Sequence, residues 1–137
     1  MIKVGIFMAD GCEEIEGLTV VDIVRRAKLE IETISITEKA EVTSSHQVTF
    51  KTDTTKAQAD FDSYDAIVLP GGMPGTLNLG ADETVVKTIK SLPLRKTCCS
   101  DMRLACSVRI IYLRAKKLPV IRVLRKSCSV HSGLSSL

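Results

Sequence analysis

The 137-residue chain reads as an α/β protein built on a doubly wound parallel sheet, and three features predict it. Residues 2–8 and 66–69 are short, β-rich and almost continuously apolar, as parallel strands covered on both faces must be. Helical spacing follows each run, and a strand-like segment at 31–36 completes a β-α-β order that implies parallel pairing. Both apolar runs end in glycine, at Gly11 and at Gly71-Gly72, which marks strand–turn–helix junctions. In open α/β sheets such junctions lie at the carboxyl ends of the strands, where sites are built.

The elements follow in order. From Glu13 to about Ala27 the spacing predicts an amphipathic helix, with Ile15, Leu18, Val21 and Val24 as its buried stripe. Arg25 and Arg26 sit favourably near its negative C-terminal end. Residues 31–36 alternate only roughly, so this strand belongs nearer a sheet edge. Residues 41–43 and 47–51 make a small hairpin around Ser44-Ser45-His46. Residues 57–63 form a polar connection or a single helical turn. After the strand at 66–69 and the turn Pro70-Gly71-Gly72-Met73-Pro74-Gly75, Asp82 caps a helix that runs to about Lys90. Val85, Val86 and Ile89 mark its apolar face.

Composition bounds the class. Apolar residues make up 45% and charged residues 26%, enough for one soluble core. No run approaches the roughly 20 apolar residues of a membrane span, and the first residues lack a signal-peptide layout. Five cysteines, an odd number, argue against a disulfide framework and predict a cytoplasmic protein. The net charge of +3 is unevenly spread: residues 91–137 hold ten Lys/Arg and a single acid, Asp101. Those residues lack the aromatic platforms and motifs of a nucleic-acid binder, so no nucleic-acid partner is expected. No glycine fingerprint for a dinucleotide is present either. His46 and His131 lack ligand-spaced partners along the chain, so neither a metal nor another cofactor is expected.

Two sets of residues carry candidate chemistry. Glu13, Glu14 and Glu16 place three carboxylates within four residues of the first junction, more than a helix start requires. Glu13 and Glu14 suit the positive helix N-terminus. Glu16 lies at the border of the stripe, beside the space left by Gly17, where loss of water suits a carboxyl to acid/base work. At the second junction, Leu69-Pro70-Gly71-Gly72 lets backbone N–H groups converge without Cβ obstruction, as an anion nest or oxyanion donor does.

Taken with Gly11-Cys12-Glu13-Glu14-Ile15-Glu16 and the helix Val21-Asp22-Ile23-Val24-Arg25-Arg26-Ala27, these turns make residues 1–90 similar to the PfpI/ThiJ superfamily, which takes in the DJ-1 proteins. The resemblance implies a flavodoxin-like fold of the class I glutamine amidotransferase type, a homodimer, and a stress-related role. It further implies a reactive cysteine on a strand-to-helix elbow, with Glu16 as its acid/base partner and Gly71 and Gly72 as oxyanion donors. The substrate it implies is methylglyoxal, glyoxal or a glycated protein. Other members look like redox-sensing chaperones.

The nucleophile departs from the pattern. The family's elbow carries an apolar strand before the cysteine and a small-residue turn with proline after it. Here the region reads Thr97-Cys98-Cys99-Ser100-Asp101-Met102-Arg103-Leu104-Ala105-Cys106, and none of these cysteines has both. Cys106 stands as the candidate nucleophile without the elbow. Read one base out of phase, the codons of Arg103–Val108 and Ala115–Arg125 can encode strings that resemble the family's sequence beyond the elbow. The expectation is therefore a family domain over 1–90 followed by a frameshifted, poorly packed basic tail over 91–137, leaving the fold incomplete at its C-terminal side. Sequencing the coding DNA tests this. Two readings stay open: a cysteine-dependent glyoxalase or deglycase, and a non-catalytic chain or redox-sensing binding protein.

Overall fold

Buried from Val4 to Met8, the first strand takes the middle of the sheet in the computed structural model, which describes residues 2–91 and 97–99. It is β1 (Lys3–Met8), followed by α1 (Glu14–Arg26), β2 (Glu30–Ser35), β3 (Glu41–Thr43), β4 (Thr49–Lys51) and β5 (Thr54–Thr55). A 3-10 turn (Phe61–Ser63) leads to β6 (Ala66–Leu69), α2 (Gly75–Ala81), α3 (Glu83–Ser91) and β7 (Thr97–Cys99). Five strands form one parallel sheet in the order β5-β2-β1-β6-β7, while β3 and β4 pair antiparallel as a separate hairpin. The chain leaves β1 first towards β2 and later returns to its other side as β6. The order therefore reverses at β1, the place where an open sheet forms its crevice.

Alternation along β1 divides the core. Phe7 packs on one face with Ile34, Ile67, Leu69, Leu79, Val85 and Ile89; Ile6 and Met8 pack on the other with Val21, Val42 and Val68. Asp82 starts α3 by accepting from the Thr84 and Val85 backbone N–H groups, as its position in the sequence predicts.

The stripe expected on α1 is displaced. Ile15 and Leu18 are exposed, and the buried positions are Gly17 and Val21, with Val20 and Val24 partly covered. A Cβ on Gly17 would come within 2.9 Å of Met8 Cε, so the helix packs closely on the β1 side chain at the glycine. Hydrophobicity alone pointed to Ile15, whereas the close contact selects the residue without a side chain. The helix ends where predicted, in a Schellman arrangement: Leu29 N–H donates to Val24 O, Lys28 N–H donates to Arg25 O, and Lys28 adopts φ +59°.

Three elements had no sequence signal. α2 contains two glycines in seven residues, a composition of low helix propensity, and holds its place through buried Leu79. β5 has two residues. β7 lies within the segment expected to pack poorly and lacks an apolar run, yet it pairs with β6 in the register Ile67–Thr97, Val68–Cys98 and Leu69–Cys99. Sheet order there rests on main-chain pairing. The expectations for Cys106, for His131 and for the packing of the remaining tail fall outside the described residues.

Candidate active site

Two junction loops meet at the reversal point. The loop after β1 turns at Gly11 (φ +79°), and the loop after β6 turns at Gly72 (φ +100°), both backbone conformations that favour glycine. Main-chain bonds lock the loops together: Glu13 N–H donates to Gly71 O at 2.8 Å and Gly75 N–H to Gly11 O at 3.0 Å. A Cβ at Gly72 would lie 2.2 Å from Glu13 N, so the two backbones are in direct contact.

Glu16 reaches across this seam. Its Oε2 accepts the Gly71 N–H at 2.7 Å, joining the first turn of α1 to the turn after β6. Close packing at Gly17 makes that reach possible, because it draws the start of α1 down onto β1 and Pro70. The residue as a whole is exposed, so the desolvating apolar wall expected around it is not supplied by the described residues. Gly71 N–H serves Glu16 in this structure, and Gly72 follows it in the turn.

Cys12 stands in the same loop but is fully buried, its N–H donating to Ala9 O and its carbonyl accepting from Ser45 N–H. Burial pushes its thiol up to about 11, which keeps it protonated and unreactive at neutral pH. The strand β7 brings the backbone of Cys99 level with Leu69, two residues before Gly71. Cys106, the nucleophile candidate from the sequence, is outside the described residues.

The hairpin adds groups that sequence spacing did not reveal. Gly11 N–H donates to Thr43 O, Ser45 N–H to Cys12 O, and Thr43 N–H to Asp10 Oδ1 at 2.8 Å. These bonds carry His46 to the start of α1, where Nδ1 lies 3.1 Å from Glu14 and 3.6 Å from Glu13. Only the folded hairpin brings residues so far apart in sequence together. Hydrogen bonding to Glu14 and the charges of Glu14 and Glu13 raise the His46 pKa; the Glu14 backbone N–H, aided by His46, lowers that of Glu14.

A raised imidazole pKa contributes stability below the unfolded value of 6.5 and loses it as pH rises through the folded value. The lowered carboxyl contributes above 4.5 and loses its effect as pH falls through its folded value. The pair is therefore strongest between these limits. In an NMR titration His46 should titrate above 6.5, and Glu14→Gln should bring it back towards that value. An unchanged midpoint in the variant would rule the pairing out.

Among the described residues no helix is long and apolar enough to cross a membrane. The DJ-1/PfpI family model matches residues 2–100, past the end of α3 and through β7. DJ-1 homolog B of Arabidopsis thaliana is 35% identical over 83 residues, covering 61% of this chain and 19% of that protein. The dj-1beta protein of Drosophila melanogaster is 31% identical over 86 residues, covering 63% of this chain and 46% of its own. Its crystal structure superposes with a TM-score of 0.72 at 25% identity, over 80% of this chain and 61% of the other. Oxidized Toxoplasma gondii DJ-1 superposes with a TM-score of 0.64 at 31% identity, over 66% of this chain and 50% of that one. The chain thus spans half or less of the curated relatives it matches. With its parallel sheet, paired glycine turns and family match over residues 2–100, the chain belongs to the DJ-1/PfpI family.

Proposed function

We propose that the site acts on small aldehydes, as a glyoxalase or protein deglycase, with Glu16 as its acid/base group. The Glu16–Gly71 contact carries this reading, because it holds a carboxyl at the sheet edge where a bound aldehyde would meet the Gly72 turn. A cysteine thiol adds to the aldehyde carbon while Glu16 takes the thiol proton and passes it to the carbonyl oxygen, forming a hemithioacetal. With methylglyoxal, the proton on the former aldehyde carbon moves through an enediol to the neighbouring carbonyl carbon while the hydroxyl proton passes to that carbon's oxygen, which gives a lactoyl thioester. Water hydrolyses it to lactate and restores the thiol. Gly72 N–H takes the oxyanion role, since Gly71 N–H is engaged by Glu16. The reaction requires no cofactor. An odd number of cysteines, which argues against a disulfide framework, supports a reducing, cytoplasmic setting as part of the same proposal.

The missing sequence elbow favours a second reading, a chain that retains the acid/base half of the site without a competent nucleophile. Conversion of methylglyoxal to lactate by the purified full chain separates the two. Iodoacetamide labelling below neutral pH identifies any thiol of lowered pKa. Turnover together with labelling of Cys98, Cys99 or Cys106 supports the enzyme. Absence of both leaves the non-catalytic reading.

A homodimer is part of the same proposal. Ile15, Leu18 and Ile23 are exposed on α1, and Val48 is exposed on the hairpin, an apolar surface suited to a second copy. Leu18→Glu is expected to shift the chain from dimer to monomer in sedimentation velocity. A monomer before substitution overturns this part.

A further inference from the structure

At the start of α1, beside the Glu16–Gly71 contact, Glu13, Glu14 and His46 bring one imidazole and two carboxylates together, and their donor atoms lie within 4.8 Å of one another. We propose that these three residues bind a divalent cation of the zinc class. The site is independent of the aldehyde chemistry proposed above.

Spacing is the first argument. Metal–ligand bonds of about 2.1 Å set tetrahedral ligand atoms about 3.4 Å apart. His46 Nδ1 is 3.1 Å from either oxygen of Glu14 and 3.6 Å from Glu13 Oε1, so two edges of such a shell are already approximated, and the third, between the carboxylates, lies within 4.8 Å. The donor set is the second argument. An imidazole with two carboxylates suits zinc-like ions, whereas an all-oxygen set would suit magnesium or calcium.

Charge and preorganisation agree with this. Two carboxylates balance a dication when His46 is neutral, and two full charges outweigh the roughly half charge of opposite sign at the helix N-terminus. Glu13 is fixed through its N–H to Gly71 O, and the hairpin holds His46 through Ser45 N–H to Cys12 O and through His46 N–H to Ser44 Oγ at 3.3 Å. Ser45 Oγ, 3.3 Å from the same imidazole nitrogen, is a competing partner, and a hydroxyl rotates away readily. The carboxylates are partly covered while His46 is largely exposed, so an ion has an open approach. Three protein ligands leave a position for water or a small anion.

Cobalt(II) titrated into the full chain tests the site, because its spectrum distinguishes thiolate from nitrogen and oxygen ligands. The expected result is one Co²⁺ bound per chain without thiolate charge-transfer absorption, with at least a tenfold loss of affinity in His46→Ala and in Glu14→Gln. Circular dichroism checks that both variants fold. Should either fail to fold, paramagnetic broadening in the unmodified chain decides: His46 and His131 are its two histidines, and the His46 imidazole signals should broaden first. Absence of binding, equal affinity in the variants, thiolate ligation or preferential broadening of His131 overturns the proposal.

Discussion

Gly72→Ala is expected to destabilise the fold by about 3 kcal/mol, the sum of strain in a forbidden backbone region and overpacking. The backbone there has φ +100°, which an L side chain rarely adopts. The new Cβ would also lie 2.2 Å from Glu13 N, 2.6 Å from Cys12 C and 2.9 Å from Gly11 O. None of these atoms belongs to a flexible side chain, so relief requires the two loops to separate, which breaks the bond from Glu13 N–H to Gly71 O. Gly80→Ala provides the contrast, since no atom lies within 4 Å of its Cβ and alanine favours a helix by about 0.5–1 kcal/mol. Urea unfolding should show a clearly lower midpoint for the first and an equal or higher one for the second, with similar slopes. Equal midpoints would mean that the seam is looser than its geometry.

Glu16→Gln is expected to reduce methylglyoxal turnover by about 10²–10⁴-fold, the usual contribution of a positioned general acid/base. The amide can still accept the Gly71 N–H through its oxygen, so the bond at 2.7 Å survives while the transferable proton does not. Stability should therefore change little and kcat should fall more than KM rises. Proportional loss of kcat and stability would make Glu16 a structural tether. Retained turnover would move the acid/base role to another residue.

Much of this was legible in the sequence for identifiable reasons. Strands β1 and β6 announce themselves because burial on both faces demands unbroken apolar residues, and Asp82 because capping requires a short acceptor at one position. The closeness of Glu16 to Gly71 follows from topology, since both loops leave neighbouring strands at the same edge. The inner face of α1 was misread because hydrophobicity weights Ile15 and Leu18 over the glycine that makes the contact. His46 joins Glu13 and Glu14 only through tertiary docking of the hairpin, and no local periodicity encodes that meeting. β7 escaped notice for a related reason: three residues can add to a sheet edge through main-chain pairing without an apolar run.

The docked hairpin separates the position of the first junction from the identity of the residues at its tip. Gly11 and Cys12 are held through main-chain groups of Thr43 and Ser45, and buried Ser44 secures the turn through the N–H groups of His46 and Val48. The outward side chains of His46, Gln47 and Val48 are not needed for that grip. A lineage can therefore change the rim of the site here, in charge or in bulk, while the loop beneath keeps its place. The tip is accordingly a plot on which new preferences can be tried at small structural risk: a library at His46 and Val48 should yield mostly folded proteins, while Gln47, at φ +64°, accepts chiefly residues that tolerate the left-handed region.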